Sequence, residues 1–225
     1  MLMAGFFSTD SKLYRFMCRL TDVVKLNLLW ILCSLPIVTV GAATIAASAM
    51  SLKIADGQEG YIGRDFFKAF RDNLRQGIPM TFITAVCIWA VWLDFQMFRA
   101  VEENSLMFLI TGMIAAYVFT FSLLYVYPLL ARYENTVLNS LKNSFRISMK
   151  YFLRSLLLVV ILAFEAAVML WTRETMILLV LVGPAFMNLT VCSFASIIFR
   201  ELEKIPGTIP DKEDVTDKDE TAGAE

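Results

Sequence analysis

Glu165 is the one charged residue in an otherwise apolar run from Ser155 to Thr172. A carboxyl group inside a membrane helix is costly, and such groups commonly carry protons or bind substrate. It could equally be a structural acid that is hydrogen-bonded to Asn, Ser or Tyr, or neutral through burial. Asn188 lies within another apolar run, Asp94 lies near the end of a third, and Asn27 adds a further polar group. These four residues form the candidate intramembrane polar site.

Other catalytic chemistry is poorly represented. The sequence contains no histidine, which is the commonest general base and the commonest transition-metal ligand. The cysteines form no CxxC pair, and three of the four lie in apolar runs, as small hydrophobic residues of packed helices do: Cys18, Cys33, Cys87 and Cys192. No GxSxG, Walker or metal-ligand pattern occurs. We therefore expect a protein without enzymatic activity, cofactor or metal.

The composition predicts a membrane protein. Of 225 residues, 58% are hydrophobic and 18% are charged, and the apolar residues form long uninterrupted runs. A spanning helix needs about 20 mainly apolar residues, and continuous rather than alternating runs favour helices over barrel strands. The fold class we expect is an all-α, polytopic helical membrane bundle with five to six membrane segments.

The first apolar run is interrupted by WILCSLPIVTVGAAT, from Trp30 to Thr44. Pro36 removes a backbone donor and disfavours helix at the preceding residue, so a helix should end near Leu35. Gly41 tolerates unusual backbone conformations, and Thr39 can hydrogen-bond freed backbone groups. The stretch is either the tip of a hairpin or a kink in a single crossing helix.

The basic residues distinguish these interpretations, because short loops rich in Lys and Arg stay on the cytoplasmic side. The segments before the first run, between the first and second runs, and after the third and last runs are basic. The other two connections hold one arginine each, Arg99 and Arg173. A hairpin places every basic segment on one side, whereas a kinked crossing separates the first two. The pattern favours the hairpin and cytoplasmic termini in a plasma-membrane protein.

Two basic stretches have the spacing of amphipathic helices, and each leads directly into an apolar run. Their cations could anchor the protein to anionic headgroups, at about 1 kcal/mol each near the surface, or dock a cytoplasmic partner. Aligning Phe70–Arg71 with Phe145–Arg146 matches the two stretches, which suggests either duplication or the general similarity of amphipathic helices. The basic positions are Arg64, Lys68, Arg71 and Arg75 in the first stretch, and Lys142, Arg146, Lys150 and Arg154 in the second.

One membrane domain should cover residues 1–200, and its last segment could be interrupted at Gly183–Pro184. Residues 201–225 carry 3 Lys/Arg against 9 Asp/Glu and should form a disordered acidic cytoplasmic tail. The expected membrane segments lie at about 10–35, 42–53, 76–98, 104–131, 152–172 and 175–199, with interfacial helices at about 64–75 and 138–151.

Three strings, NLLWILCSLPIVTVGAAT (Asn27–Thr44), GRDFFKAFRDNLRQG (Gly63–Gly77) and WLDFQ (92–96), resemble the YesL-like family. The resemblance extends from about Phe6 to Arg200. It implies a small plasma-membrane protein of Gram-positive bacteria, in a family filed as a domain of unknown function and often encoded near genes for sugar uptake and polysaccharide degradation. It supplies no catalytic residues.

Two functions remain open. The first is a non-enzymatic accessory or assembly component linked to carbohydrate uptake, bound to anionic lipids and to a permease or a second copy of the chain, without nucleic acid. The alternative is a small transporter or channel, in which Glu165, Asn188 and the broken PIVTVG segment line the pathway.

Overall fold

The computed structural model describes residues 12–58, 61–100, 105–133, 135–171 and 173–204, so the expected tail lies outside it from residue 205 onward. These ranges contain nine α-helices and a 3₁₀ turn at Ile37–Thr39, and no strand. The all-α prediction is confirmed. The helices are α1 (Lys12–Ser34), α2 (Val40–Ala55), α3 (Ile62–Asp72), α4 (Leu74–Ala100), α5 (Ser105–Leu123), α6 (Val126–Arg132), α7 (Val137–Lys150), α8 (Phe152–Leu170) and α9 (Arg173–Leu202).

Five stretches of the described residues are long and apolar enough to cross a membrane. They differ greatly in how much protein surrounds them. More than half of the first is buried inside the bundle, whereas at most about a tenth of the second, third and fourth is. The stretches are Ile37–Ala55, Leu74–Ala100, Leu106–Arg132, Phe152–Leu170 and Val182–Leu202.

The first apolar run is broken where the proline predicts. Pro36 adopts an extended backbone conformation, φ −76° and ψ 112°, and the 3₁₀ turn follows it. The Thr39 hydroxyl donates to the carbonyl oxygen of Cys33 at 2.7 Å, which closes the turn. The Trp30 indole then donates to the Thr44 hydroxyl at 3.1 Å.

The two helices on either side of this turn run antiparallel. Val23 and Leu26 precede Trp30 in α1, and they share a buried cluster with Ala47 and Met50, which follow Thr44 in α2. Residues progressively earlier in α1 therefore pack beside residues progressively later in α2, which requires the chain to reverse direction between the two helices. The segment is therefore a hairpin, α1–α2, rather than one kinked rod.

The hairpin crosses α4 at two glycines. A Cβ atom on Gly41 would collide with the carbonyl oxygen of Gly77, and one on Gly77 would collide with the backbone of Ala42. The Gly41 N–H donates to Thr81 Oγ1 at 2.8 Å, and Thr81 Oγ1 lies 3.1 Å from the carbonyl oxygen of Val38. Close approach of this kind is what small residues permit in membrane helix packing.

The third apolar run forms one candidate span, Leu106–Arg132, but it contains two helices, because α5 ends at Leu123 and α6 begins at Val126. Pro128 explains the break, since its ring disfavours continuous helix through the preceding turn. Two serines of α7 pair with backbone groups at this break: Tyr125 N–H donates to Ser144 Oγ at 3.1 Å, and Ser148 Oγ donates to the carbonyl oxygen of Phe121 at 2.7 Å.

The packed face of α7 is therefore different from its apolar stripe. Ser140, Ser144, Ile147 and Ser148 are the buried residues of this helix. Apolar residues recur every four positions from Leu141 through α7 to Leu153 at the start of α8. This stripe is only partly covered at Leu141 and Phe145 and is exposed at Met149 and Leu153. In α3, by contrast, Phe66 is fully buried against the hairpin.

The buried core lies at one end of the bundle. It is formed by the hairpin, α3, α6, α7 and the adjoining ends of α4, α8 and α9. Between residues 81 and 120, and again between 159 and 171, no described residue is buried. The outer halves of α4 and α5 pack on each other, as α8 does on α9, and they leave their remaining surface uncovered.

We expect Gly41→Ala to destabilise the protein by about 1–3 kcal/mol, because the added methyl group forces α2 and α4 apart. Thermal unfolding in mild detergent measures the effect. Gly63→Ala is the matched control, since a Cβ atom there meets nothing within 4 Å. Equal unfolding temperatures for the two variants would contradict the close crossing.

Candidate functional site

The polar residues of the candidate site lie in three separate places. Asn27 is fully buried, and its Oδ1 accepts the N–H of Ala185 at 3.1 Å. This contact joins α1 to α9 directly after Pro184. The expectation that Gly183–Pro184 interrupts the last segment is wrong, because α9 continues through it to Leu202. A side-chain acceptor from a neighbouring helix is one way in which membrane helices accommodate an internal proline.

Asn188 joins α9 to α2. Its Nδ2 donates to Ser48 Oγ at 3.0 Å, and the thiol of Cys192 lies 3.3 Å from its Oδ1. Ser48 in turn donates to the Thr44 carbonyl oxygen at 2.9 Å. The amide therefore holds the hairpin against α9, and its surroundings are those of a packing contact.

Glu165 faces a different side of α9. Thr190 donates to its Oε1 at 2.8 Å, which joins α8 to α9. Residues two positions apart in a helix differ by about 200° around its axis, so the side chains of Asn188 and Thr190 point in nearly opposite directions. The other carboxylate oxygen, Oε2, is buried without a hydrogen-bond partner among the described residues.

Asp94 lies apart from the other three residues, between α4 and α5. It adjoins a cavity of about 220 Å³ and packs closely against Gly112, where an added Cβ atom would lie 3.2 Å from Asp94 Cβ. The rest of the lining is apolar: Val91, Phe95, Phe98, Phe108, Leu109, Met113 and Ala116. The structure therefore does not bring the four candidate residues together.

A charged cluster that the sequence analysis missed joins the ends of α2, α6 and α9. Asp56 is within 2.7 Å of Arg200 and 3.5 Å of Arg132, and its side chain is 17% exposed. Arg132 also lies 3.0 Å from Glu203. Tyr133 donates to the same glutamate at 2.8 Å, and burial, followed by that hydrogen bond and the glutamate charge, raises the pKa of Tyr133.

The cluster had no signal in the sequence. Asp56, Arg132 and Arg200, one from each of the three helix ends, lie at least 68 positions apart in the chain, counting from Arg132 to Arg200, and Glu203 falls inside the stretch expected to be a disordered tail. The first residues of that stretch are folded, since α9 extends to Leu202.

The amphipathic helix α3 is fixed to α2 by an ion pair. Lys53 Nζ lies 2.7 Å from Asp65 Oδ2, and the hydrogen bond from Lys53, followed by its charge, lowers the pKa of Asp65. The four basic residues expected on this face, Arg64, Lys68, Arg71 and Arg75, are all exposed.

Seven of the eight expected basic contacts have no carboxylate within 4 Å among the described residues. Arg154 is the exception, because it pairs with Glu201 at 2.9 Å and lies over the Tyr151 ring. It is thus part of the bundle rather than a free contact. Lys150 also lies over the Tyr151 ring, at 5.7 Å from its centre, but has no carboxylate partner among the described residues. The exposed cations without such a partner are Arg64, Lys68, Arg71 and Arg75 on the α3 side and Lys142, Arg146 and Lys150 on α7.

These features define the class: a polytopic helical membrane protein with a broken first segment and two basic amphipathic helices. Residues 23–95 match the model of a family described as "Protein of unknown function, DUF624". The match covers the second half of α1, α2, α3 and most of α4, with Asn27 and Asp94 but without Glu165 or Asn188. No curated protein matches the chain, and no solved structure does.

We expect Asp56→Asn to lower stability by about 1 kcal/mol, because it removes the carboxylate that pairs with Arg200 and one of the two that pair with Arg132. The measurement is thermal unfolding in detergent at low and high salt. Asp72→Asn is the matched control, since Asp72 is exposed and has no ion pair in the described part of the chain. Equal unfolding temperatures for the two variants would show that the charged cluster does not stabilise the junction of α2, α6 and α9.

Proposed function

We propose that the chain is a non-enzymatic component of a membrane assembly, held at an anionic membrane surface by α3 and α7 and docked there to a membrane partner. The observation that carries this proposal is the set of seven exposed cations that have no carboxylate partner in the part of the chain that the structure describes. Both helices lie at the end of the bundle that contains the charged cluster. The ion pair that attaches α3 to α2 uses Lys53, three residues before Asp56 of the cluster. Helix α7 begins at Val137, five residues after Arg132 of the cluster.

The carboxylates at the ends of α2 and α9 are already engaged. Asp56, Glu201 and Glu203 pair with the arginines that join helix ends. The cations of α3 and α7, in contrast, have no carboxylate within 4 Å among the described residues and are exposed. Anionic headgroups, or acidic residues of a partner at the same level, have the complementary charge.

A partner within the membrane is supported by the uncovered outer halves of α4, α5 and α8. Exposed large apolar side chains there include Trp89 and Trp92, at 60% and 52% exposure. Lipid or another protein can cover such surfaces. The polar residues of the spans do not compete with this role, because Asn27 and Asn188 are used in packing.

The assignment of that partner to carbohydrate uptake rests on the YesL-like resemblance described above. That resemblance also supports a Gram-positive plasma membrane as the location. The concentration of basic residues at one end supports a cytoplasmic position for that end and for both termini. We therefore propose a permease for carbohydrate uptake as the partner, with a second copy of the chain as the other candidate.

The test is crosslinking and affinity purification from native membranes in mild detergent. One variant carries Arg64→Gln, Lys68→Gln and Arg71→Gln, and a second carries Lys142→Gln, Arg146→Gln and Lys150→Gln. We expect about tenfold less carbohydrate permease per chain in each, because each lost cation weakens surface attraction by up to about 1 kcal/mol. Arg99→Gln, at the other end of α4, is the control. Isolation of the wild-type protein as a lone chain, or equal recovery from all variants, would contradict the proposal.

The unpartnered Oε2 of Glu165 supports the alternative, a small transporter or channel. Neither cavity described between α1 and α3 or between α4 and α5 is lined by Glu165 or Asn188. In a packing role, Glu165→Gln keeps an acceptor for Thr190 and preserves stability, whereas Glu165→Ala loses about 1 kcal/mol. Sugar or ion flux in proteoliposomes that Glu165→Gln abolishes, without loss of thermal stability, would establish the alternative instead.

A further inference from the structure

We propose that the hairpin α1–α2 is a re-entrant element, which enters only the membrane leaflet next to α3 and contacts phospholipid acyl chains with its tip. By length and composition, Ile37–Ala55 could cross a membrane. The contacts of this segment with α4, however, place its first residues near the start of α4. The inference does not depend on the identity of any protein partner.

The position of the tip is fixed by Thr81. This hydroxyl contacts Val38 and Gly41, which lie on either side of the junction between the 3₁₀ turn and α2. Thr81 is seven residues into α4, or about 10 Å from its first residue, and nineteen residues before Ala100, or about 28 Å from its end. The hydrocarbon core of a bilayer is about 30 Å thick. If α4 crosses it, the hairpin reaches only part of the way.

The tip does not extend much beyond this contact. The Thr39 hydroxyl bonds to the Cys33 carbonyl oxygen at 2.7 Å, and the Thr39 N–H bonds to the Pro36 carbonyl oxygen at 2.9 Å. The chain therefore reverses within a few residues. Even a fully extended segment of three residues would span only about 10 Å, so more than half of α4 beyond Thr81 would still rise above the tip.

The headgroup level can be placed from the basic residues beside the hairpin. Arg75 is exposed in the first turn of α4, six residues or about 9 Å before Thr81. An arginine beside a membrane keeps its guanidinium at the headgroups. The tip then lies roughly 10 Å below that level, which is the depth at which amphipathic elements bury their apolar faces, about 5–10 Å.

The surface of the tip suits acyl chains. Leu35 and Ile37 are 71% and 79% exposed, and Leu32 and Val38 beside them are also exposed. Irregular backbone in lipid requires internal hydrogen bonds, which the two threonines provide. The free cations of Arg71 and Arg75 lie at the α3 end of the same region and complement anionic headgroups. The apolar tip and the cations beside it are therefore complementary to the acyl chains and the headgroups of phospholipid in one leaflet.

The inference leaves α4, α5–α6, α8 and α9 as the crossing elements. Four crossings return the chain to the side on which it began. The start of α1, the basic helices and the end of α9 then share one face of the membrane, in agreement with the distribution of Lys and Arg.

The test uses depth-dependent fluorescence quenching in proteoliposomes. Ile37→Cys, in a background without the four native cysteines, carries an environment-sensitive fluorophore. Val86→Cys is the matched control, since Val86 is also exposed and lies five residues beyond Thr81 in α4, near the bilayer centre. For Ile37 we expect about twofold more quenching by lipid brominated near the headgroup than by lipid brominated near the chain end, and the reverse for Val86.

Sidedness is measured with a spin-labelled lysolipid added to one leaflet. It should quench the Ile37 label only from the side on which Gly63→Cys reacts with an impermeant maleimide. Preferential quenching of the Ile37 label by deeply brominated lipid, or from the opposite leaflet, would overturn the inference. Quenching by no lipid would also overturn it, because a protein partner or a second copy would then cover the tip. Both labelled positions are exposed, so folding is checked by size exclusion against the unlabelled chain.

Discussion

Two glycine backbones in contact, Gly41 on α2 and Gly77 on α4, determine how the remaining helices can be arranged. Neither position has room for a single added carbon, and Thr81 bonds to Val38 within the 3₁₀ turn and to Gly41 directly after it. With the hairpin held to the start of α4, α3 has to lie beside the hairpin, where Phe66 is buried and Asp65 reaches Lys53. The hairpin also supplies Asn27 and Ser48 to α9, so the same crossing aligns the last helix.

The sequence was sufficient for the helical class, the break at Pro36 and the two basic amphipathic helices, because each depends on local periodicity or on a single residue type. It was insufficient where the deciding contact is distant in the chain. Nothing near Pro184 indicates that Asn27 would accept the next N–H, so helix continuity there could not be predicted. The buried serine face of α7 was missed because Ser144 and Ser148 bond to backbone groups at the break between α5 and α6, which lies elsewhere in the sequence. The cluster around Asp56 depends on three helix ends meeting in space.

The basic side chains of the molecule include two groups, those paired with carboxylates and those exposed on α3 and α7. Arginines that join helix ends, such as Arg132, Arg154 and Arg200, have carboxylate partners. Those of α3 and α7 have none among the described residues and are exposed. The intramembrane amides are used to hold helices together, while one oxygen of Glu165 has no hydrogen-bond partner among the residues that the structure describes. This division supports a function at the membrane surface more strongly than one inside the bundle, with the basic helices at the headgroups and the hairpin tip roughly 10 Å below them.

The central claim is that the start of α1 and helix α3 face the same side of the membrane because the hairpin reverses the chain. Native Cys18 is exposed and serves as one reporter, with the other three cysteines removed. Gly63→Cys in a cysteine-free chain is the second. Labelling with an impermeant maleimide, before and after the membrane is permeabilised, measures the side of each. The account predicts that both residues react only after permeabilisation. Labelling of Cys18 on intact cells, with Gly63→Cys protected, would contradict it.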